Sequence, residues 1–432
     1  MHARPIVSTD EAYEETIRFL YSLERFGILL GLENISTLLK ELGNPQLSFP
    51  VIHVAGSNGK GSTSAFIYGI LRSAGLKTAL YTSPHLNDFR ERIRINGALV
   101  SRDAVISSAR KIRELYDPDR TTYFEFTTAM AFDCIAQERP DAAVVEVGLG
   151  GRLDATNTTR PTVTVITDIS REHEDYLGIG IASVAREKAG IIKRGTPLVT
   201  GASRRDARQV ILEVAKRLGA PVAEFGRDFK GLRTGRDRFT YTSRRLQIEN
   251  ITPPAPCTYQ MKNGSLAIAA VEELIGQGWR VDEQCIRKGI EETRFPGRFE
   301  TVRRDPDVLI DGAHTPEGMR LLKRAVASVY PGVKPLLLLG VLQDKNYEVL
   351  ARIIAPVARE VVCVPPLGNR ALDPNVLASL VRQCGVPARP AGTIGEGLEM
   401  LLKRASKSDL ILAAGSLYMI GVVRSACGLD DQ

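Results

Sequence analysis

No stretch of the 432 residues approaches the length of a membrane span, and Met1 to Asp10 has neither the apolar run nor the cleavage pattern of a signal peptide. Cysteine is scarce and scattered: Cys134, Cys257, Cys285, Cys363, Cys384 and Cys427 include no Cys-x-x-Cys pair. Most of them stand among apolar neighbours, so buried reduced thiols are expected rather than disulfides or a structural metal, and a cytoplasmic location fits. Internal repeats, low-complexity tracts and long disordered segments are missing too. The formal charge is +7, yet pairs such as Arg204-Arg205 and Arg303-Arg304 form no single stripe, and no aromatic-rich strip accompanies them. That leaves no footprint for nucleic acid or a membrane surface, while anionic small molecules suit the charge equally well. What is present, 44% apolar and 25% charged residues, is an ordinary globular composition on a chain long enough for two domains. A monomer is expected.

The stretch richest in information runs from Phe49 to Thr63. Val51 to Val54 reads as a short buried strand and Ser62 to Ala74 as a helix with Phe66, Ile67, Ile70 and Leu71 on one face. Between them lie Gly56, Gly59 and Gly61, with Asn58, Lys60, Ser62 and Thr63. Glycines let successive N–H groups turn inward on an anion, the helix N-terminus adds positive potential, and a lysine can reach outer phosphates. The common Walker A string would place a glycine where Val54 stands and a hydroxyl where Gly61 stands. A glycine-rich turn with a solvated lysine is the plain alternative. Strand, glycines, lysine, hydroxyl and helix in that order favour a phosphate cradle.

Apolar strands and amphipathic helices alternate on either side. Thr9 to Glu41 is mostly helical in pattern, broken by a glycine-bounded turn from Gly27 to Gly31. Strands are expected at Lys77–Thr82, Ala142–Val147, Thr162–Ile169 and Pro197–Thr200, and helices at Tyr123–Ala136 and Ile181–Ile192. This alternation predicts an α/β fold, a mostly parallel sheet with helices on both faces, whose functional loops follow the carboxyl ends of the strands. Arg236 to Ile251 suits a hairpin at the sheet edge, and Met261 to Ile275 a helix. The Pro-Gly break within Thr293 to Arg298 places a domain boundary there, giving domains 1–295 and 296–432. The second is a smaller Rossmann-like series with strands at Val308–Ile310, Leu336–Gly340, Val361–Val364 and Leu410–Ala414.

Glu146 ends an Ala/Val strand just before a glycine run. Burying a carboxylate there is costly unless it meets a cation. Beside a phosphate loop that cation is naturally Mg²⁺; a salt bridge to Arg152 is the simpler alternative. His173, in Ser170-Arg-Glu-His-Glu-Asp-Tyr-Leu-Gly178, follows another strand that should adjoin the site and is a weakly signalled metal ligand. Ser83 is weaker on pattern alone. Lys188 reads as a helical lysine in a surface ion pair.

The loop Ala55-Gly-Ser-Asn-Gly-Lys-Gly-Ser62 resembles that of folylpolyglutamate synthase and dihydrofolate synthase, a branch of the Mur-type ATP-dependent amide ligases. Thr82-Ser-Pro-His-Leu86, Tyr123-Phe-Glu-Phe-Thr127, Glu187-Lys-Ala-Gly-Ile191, Pro296-Gly-Arg298, Asp311-Gly-Ala-His314 and Gly415-Ser-Leu-Tyr418 follow in the family's order. Val147-Gly-Leu-Gly-Gly-Arg-Leu-Asp-Ala-Thr-Asn157 is the longest and most specific match.

The resemblance implies a ligase that uses ATP to phosphorylate the carboxylate of dihydropteroate or a reduced folate and joins L-glutamate to it, releasing ADP and phosphate. It implies that Asn58, Gly59, Lys60, Gly61 and Ser62 hold the phosphates, and that Asn263, Arg298 and Asp311 contact the nucleotide in a cleft between domains. Ser83, Glu146 and His173 match Mg²⁺ ligands, and Lys188 matches a lysine carbamylated by CO₂ beside a second Mg²⁺. Gly31, Leu32, Thr122, Tyr123, Phe124, Glu125, Leu153, Asp154 and Ala155 fall on the pterin side, and His314 and Ser416 on the glutamate side. Lys60, Lys188, His173 and His314 would carry the catalysis. The chain departs from the family pattern at Glu172, where Asp is usual, and at Thr315, where Asn is usual. The competing readings are a cell-wall Mur ligase, which usually carries Gly-Lys-Thr in its loop and lacks the Gly-Leu-Gly-Gly-Arg-Leu-Asp-Ala-Thr-Asn run, and a P-loop switch or nucleic-acid-binding protein, which would need a clustered basic face.

Overall fold

The computed structural model describes residues 8–23, 27 and 29–429. The first seven residues of the Met1–Asp10 segment, and Ile28 in the Gly27–Gly31 turn, lie outside the described residues. The chain divides into two compact units, one made of residues up to His85, Phe89–Pro254 and Gln260–Thr293, the other of Leu86–Asp88, Ala255–Tyr259 and Arg294–Gln432.

The first unit is built on an eight-stranded sheet: β1 (Val51–Ala55), β2 (Thr78–Tyr81), β3 (Ile93–Ile95), β4 (Ala98–Leu99), β5 (Ala142–Glu146), β6 (Pro161–Ile166), β7 (Leu198–Thr200) and β8 (Val222–Glu224). Their order is β4-β3-β2-β5-β1-β6-β7-β8, parallel throughout except for the antiparallel edge β3–β4. Every residue of β1 and β5 is buried, which explains why they are apolar but for His53 and the terminal Glu146. The unit's helices are α1 (Thr9–Ser22), α2 (Glu33–Glu41), α3 (Lys60–Ser73), α4 (Arg102–Arg113), α5 (Tyr123–Glu138), α6 (Glu174–Leu177), α7 (Ile181–Ala189), α8 (Arg205–Leu218), α9 (Thr258–Gly276) and α10 (Glu283–Glu291). Val51, Ala79, Tyr81, Ala143 and Val145 share a core with α1, α2, α4 and α5. Alternate residues point the opposite way, where α3 packs on β1, β2 and β5.

Two expectations change here. Residues 236–251 do form a hairpin, but with Phe229–Arg233 it makes a separate antiparallel sheet, β9 (Phe229–Arg233), β10 (Phe239–Ser243) and β11 (Gln247–Ile251), instead of extending the large sheet. Its inner face supplies Phe239, Tyr241, Ile248 and Ile251, all fully buried, so it is a covered layer with its own packing surface. The cysteines are all free thiols, yet only Cys134, Cys257 and Cys363 are buried, while Cys285, Cys384 and Cys427 are partly exposed. Helix and strand patterns leave one side of those segments open to solvent.

The second unit has its own sheet: β12 (Glu300–Arg303), β13 (Asp307–Asp311), β14 (Leu336–Leu339), β15 (Glu360–Cys363), β16 (Ala388–Pro390) and β17 (Leu410–Ala414) in the order β12-β13-β17-β14-β15-β16, parallel but for β12. Helices α11 (Pro316–Val329), α12 (Tyr347–Ile354), α13 (Pro374–Gln383), α14 (Ile394–Leu402) and α15 (Leu417–Ala426) complete it. Two separate cores result, one shared with α11, α12 and α13 and one with α14 and α15. Among the described residues no helix is long and apolar enough to cross a membrane.

Candidate active site

Parallel register assembles the first cluster. Val54 stands beside Glu146, Tyr81 beside Val145, and Ala55 beside Ile166, so the loops after β1, β2, β5 and β6 open on one edge of the sheet. The helix α3 begins two residues before the sequence suggests, at Lys60, because Gly59 adopts a left-handed φ of 86° and acts as its N-cap. The glycines are needed for space as well as for φ. A Cβ on Gly56 would overlap Thr167 Oγ1, and one on Gly59 would overlap the Asn263 amide. Thr167 also donates its hydroxyl to Asn58 O at 2.7 Å, and Asn58 reaches Ser170 Oγ at 3.1 Å. A relay fixes the start of α3: Asn263 Nδ2 donates to Gln260 Oε1 at 3.0 Å, and Gln260 Nε2 to Ser62 Oγ at 3.2 Å. Lys60 folds over its own loop, its Nζ donating to the carbonyls of Gly56 at 2.8 Å and Ser57 at 3.4 Å.

Glu146 is buried at the end of β5. Its carboxylate accepts the Ser83 N–H at 3.2 Å and lies 3.5 Å from where a Cβ on Gly61 would stand. Arg152, the alternative partner, is instead bound to Glu187 at 2.9 Å. A carboxylate beside a hydroxyl residue, over the first turn of a phosphate-loop helix, fits a hard cation that completes its shell with phosphate and water oxygens. Among the described residues no three His, Cys, Asp or Glu side chains form a group that could hold a metal ion by themselves. His173 is exposed in a left-handed conformation (φ 47°) at the head of α6.

Lys188 overturns the surface reading. Its side chain is 2% exposed, pairs with Glu172 Oε1 at 2.6 Å and donates to Gly56 O at 2.9 Å. Burial lowers its pKa to about 8; Glu172 resists the shift and Lys60 adds to it. Burial works to raise the Glu172 carboxyl, but the ammonium groups of Lys188 and Lys60 outweigh it and hold the group below the usual carboxylate range. Glu172, one of the two departures noted in the sequence, is thus the counter-ion of Lys188.

The Gly148–Asn157 turn is a packing surface for α7. A Cβ on Gly151 would come within 2.9 Å of Glu187 O and 3.1 Å of Lys188 Cα, and one on Gly190 would overlap Arg152. Asp154 is buried and accepts the N–H groups of Leu149 at 2.8 Å and Thr156 at 3.0 Å; burial pushes its carboxyl up, against those hydrogen bonds. Leu153 and Ala155 flank it. The Phe124 ring packs where a Cβ on Gly148 would stand. Thr122 and Glu125 form a buried capping box on α5, Thr122 Oγ1 donating to Glu125 Oε2 at 2.8 Å. Tyr123 stacks on Tyr21 at 6.1 Å, with Arg92 5.4 Å from its ring centre. Gly31 and Leu32 lead into α2, where Leu32 is the N-cap.

In the second unit, Asp311 pairs in register with Ala414, which sets Asp311–His314 beside Gly415–Ser416. Asp311 accepts the N–H groups of Phe299 at 2.9 Å and Ala313 at 2.8 Å; burial raises its carboxyl and Arg298 opposes the rise. His314 Nδ1 meets Gly312 O at 2.8 Å, and Thr315 caps α11 by accepting the Gly318 N–H at 3.1 Å. The hydroxyl of Ser416, at the head of α15, is buried without a partner among the described residues.

The chain matches the Mur ligase middle domain over residues 54–271 and the Mur ligase glutamate ligase domain over 297–417. It is 34% identical over 429 residues to the folylpolyglutamate synthase of Lacticaseibacillus casei, covering 95% of this chain and 98% of that one. The chain belongs to the folylpolyglutamate synthase and dihydrofolate synthase family. It spans about half the length, 51% and 50%, of two longer relatives from Halobacterium salinarum and Haloferax volcanii described as probable bifunctional folylpolyglutamate synthase/dihydropteroate synthases. Among solved structures, the Escherichia coli FolC in complex with DHPP and ADP superposes with a TM-score of 0.87 at 30% identity, over 96% of this chain and 97% of that one. A bifunctional folylpolyglutamate synthase/dihydrofolate synthase with Mn, AMPPNP and L-glutamate bound gives 0.84 at 30% identity, over 96% and 98%.

In this family member, Asn58 to Ser62, Asn263, Glu146, Ser83 and Lys188 gather around one sheet edge, while Arg298, Asp311, His314 and Ser416 gather in the second unit. Sequence reading missed Gln260, Thr167 and Glu172 as partners. Gln260 meets Ser62 across 198 positions, and no local pattern marks such a contact.

Proposed function

We propose that this chain uses ATP and a divalent cation to join L-glutamate to dihydropteroate, to reduced folates, or to both. The single observation that carries the proposal is the convergence of Lys60, Glu146 and the buried Lys188 on the glycine loop after β1. Backbone N–H groups of Gly59 to Ser62 and the Lys60 ammonium hold the phosphates, with Asn263, Arg298 and Asp311 as nucleotide contacts. Ser83, Glu146 and His173 would hold the cation, Mg²⁺, and when bound it would supply charge neutralisation for phosphorylation of the acceptor carboxylate. Gly31, Leu32, Thr122 to Glu125 and Leu153 to Ala155 seat the acceptor. His314 and the unpartnered hydroxyl of Ser416 take the incoming glutamate, whose amine displaces phosphate from the acyl phosphate.

Lys188 is carbamylated: its neutral amine adds to CO₂ and releases a proton, turning a cation into a carboxylate that would help hold a second Mg²⁺. A pKa near 8 supports this, because it supplies neutral amine at physiological pH. The reading includes a monomeric enzyme acting in the cytoplasm on small molecules, with nucleic acid and membrane playing no part.

Phosphate release from MgATP and L-glutamate tests the proposal, with dihydropteroate, with a reduced monoglutamyl folate, and with neither. Stimulation by both acceptors is expected, and Lys188→Arg should abolish it. Release indifferent to acceptor would refute the substrate assignment. Intact mass showing an unmodified lysine in the active, CO₂-equilibrated enzyme would refute carbamylation.

A further inference from the structure

His53 lies in the middle of β1, fully buried, three residues before the glycine loop, and none of the chemistry above uses it. Burial, and then Lys193, bring its pKa down to about 3, so the ring is neutral. Its Nε2 sits 2.8 Å from Thr156 Oγ1, and Thr156 Oγ1 in turn makes a short hydrogen bond to Asp154 Oδ1. Asp154 Oδ2 accepts the Leu149 N–H. The other ring nitrogen, Nδ1, is buried with no partner among the described residues.

Counting protons assigns the tautomer. Thr156 has one hydroxyl proton, and both Asp154 oxygens already accept backbone N–H groups, from Thr156 and Leu149, which marks it as an acceptor. Thr156 therefore donates to Asp154, and the contact to His53 must be filled by a proton on Nε2. The opposite arrangement would need a protonated Asp154 and would leave a buried Nδ1–H orphaned, which is the costlier orphan. The chain His53 Nε2–H, Thr156 Oγ1–H, Asp154 thus runs one way, from the strand beneath the phosphate loop into the turn carrying Leu153 to Ala155.

We infer that His53 is a positioning residue which, as its Nε2–H tautomer, orients Thr156 and through it fixes Asp154 and the turn that seats the pterin acceptor. The inference rests on the acceptor reading above and adds a residue and a tautomer to it. The strand that ends in the phosphate loop also sets the acceptor turn, so His53 serves acceptor binding separately from ATP binding.

Three substitutions separate the roles. His53→Met keeps bulk and loses the donor, His53→Gln keeps an N–H donor near the position of Nε2, and Thr156→Val breaks the chain at its middle. In phosphate-release kinetics, His53→Met and Thr156→Val should raise the KM for dihydropteroate by about tenfold, the size of one buried hydrogen bond, with the KM for ATP nearly unchanged. His53→Gln should recover most of the loss. Equal rises in both KM values, or a folded His53→Met enzyme with an unchanged acceptor KM, would overturn the inference. Independently of activity, nitrogen-15 NMR of the histidine-labelled wild type, with His53 assigned by the Gln variant, should show a neutral Nε2–H ring between pH 5 and 8. An Nδ1–H ring would overturn it whatever the kinetics of His53→Met and Thr156→Val. Wild-type enzyme that responds to no pterin acceptor would refute the acceptor reading and this role with it, leaving the tautomer to report the geometry alone.

Discussion

Burial weakens the hold of Lys188 on its proton, and Glu172 on one side and the Gly56 carbonyl on the other only partly offset this. In the folded chain its proton leaves near pH 8, and in the unfolded chain near the ordinary 10.5. Between those values the unfolded chain holds a proton that the folded chain has released, so this group makes stability rise with pH across that window. Below about pH 8 both states are protonated and the penalty is constant. Urea denaturation in CO₂-free buffer should show wild type gaining stability relative to Lys188→Met only above about pH 8. In a Glu172→Gln background the onset should move to lower pH, because the carboxylate that resists the shift is gone. A difference flat from pH 7 to 10.5 would mean that folding does not lower the pKa of Lys188. The sequence could not disclose this pair. Arg186-Glu-Lys-Ala-Gly190 is as polar as any surface helix, and Lys188 owes its burial to the glycine turn on α7, whose role is defined by a backbone it allows to approach.

The elements themselves were far more legible than their pairings. Five-residue runs such as Val51–Ala55 and Leu410–Ala414 announce buried parallel strands because both faces are covered, and the alternation with amphipathic helices predicts the α/β class. The independent β9–β11 sheet was hidden, since a hairpin's alternation looks the same at a sheet edge as over a separate layer. The same limit hides helix crossings. Gly69 on α3 and Gly289 on α10 meet backbone to backbone: a Cβ on Gly69 would lie 2.7 Å from Gly289 O, and one on Gly289 would overlap Ile70 Cα. Neither glycine has a positive φ, so spacing alone demands them. Gly289→Ala removes a helix-weakening glycine, a gain of about 1 kcal/mol by propensity, yet must push α10 off the helix that begins at Lys60. Overpacking typically costs about 1–3 kcal/mol, and here the obstacle is backbone that cannot swing aside, so the net should be destabilising. Thermal unfolding should show a lower Tm for Gly289→Ala than for wild type. A raised Tm would mean that the crossing has slack.

At the scale of the whole molecule, the two units differ in how their chain is spent. All six strands of the second sheet and the helices α11 to α15 lie between Arg294 and the C-terminus, while Leu86–Asp88 and Ala255–Tyr259 are short additions from earlier in the chain. The later addition contributes Ala255, Cys257 and the Tyr259 ring to a core that otherwise comes from Phe299 onward. The segment 86–88 adds Leu86, packed against the second core, and Asn87, which donates to Gly421 O at 3.2 Å and Ser425 Oγ at 3.0 Å. Losing two small side chains, part of an aromatic ring, a half-buried leucine and two partly exposed hydrogen bonds should cost roughly 5 kcal/mol, at the low end of a typical domain stability of about 5–15 kcal/mol. Asp311 loses Tyr259, its weaker partner at 3.5 Å, but keeps the N–H groups of Phe299 and Ala313. A fragment of residues 294–432 should therefore fold alone, unfold cooperatively by circular dichroism, and do so at a lower urea midpoint than the corresponding transition in the full chain. It should not release phosphate from ATP, because Lys60 and Glu146 belong to the other unit. Native-like secondary structure without a cooperative transition would show that Ala255 to Tyr259 are needed for the packing of this sheet, and that its independence extends to topology but not to stability.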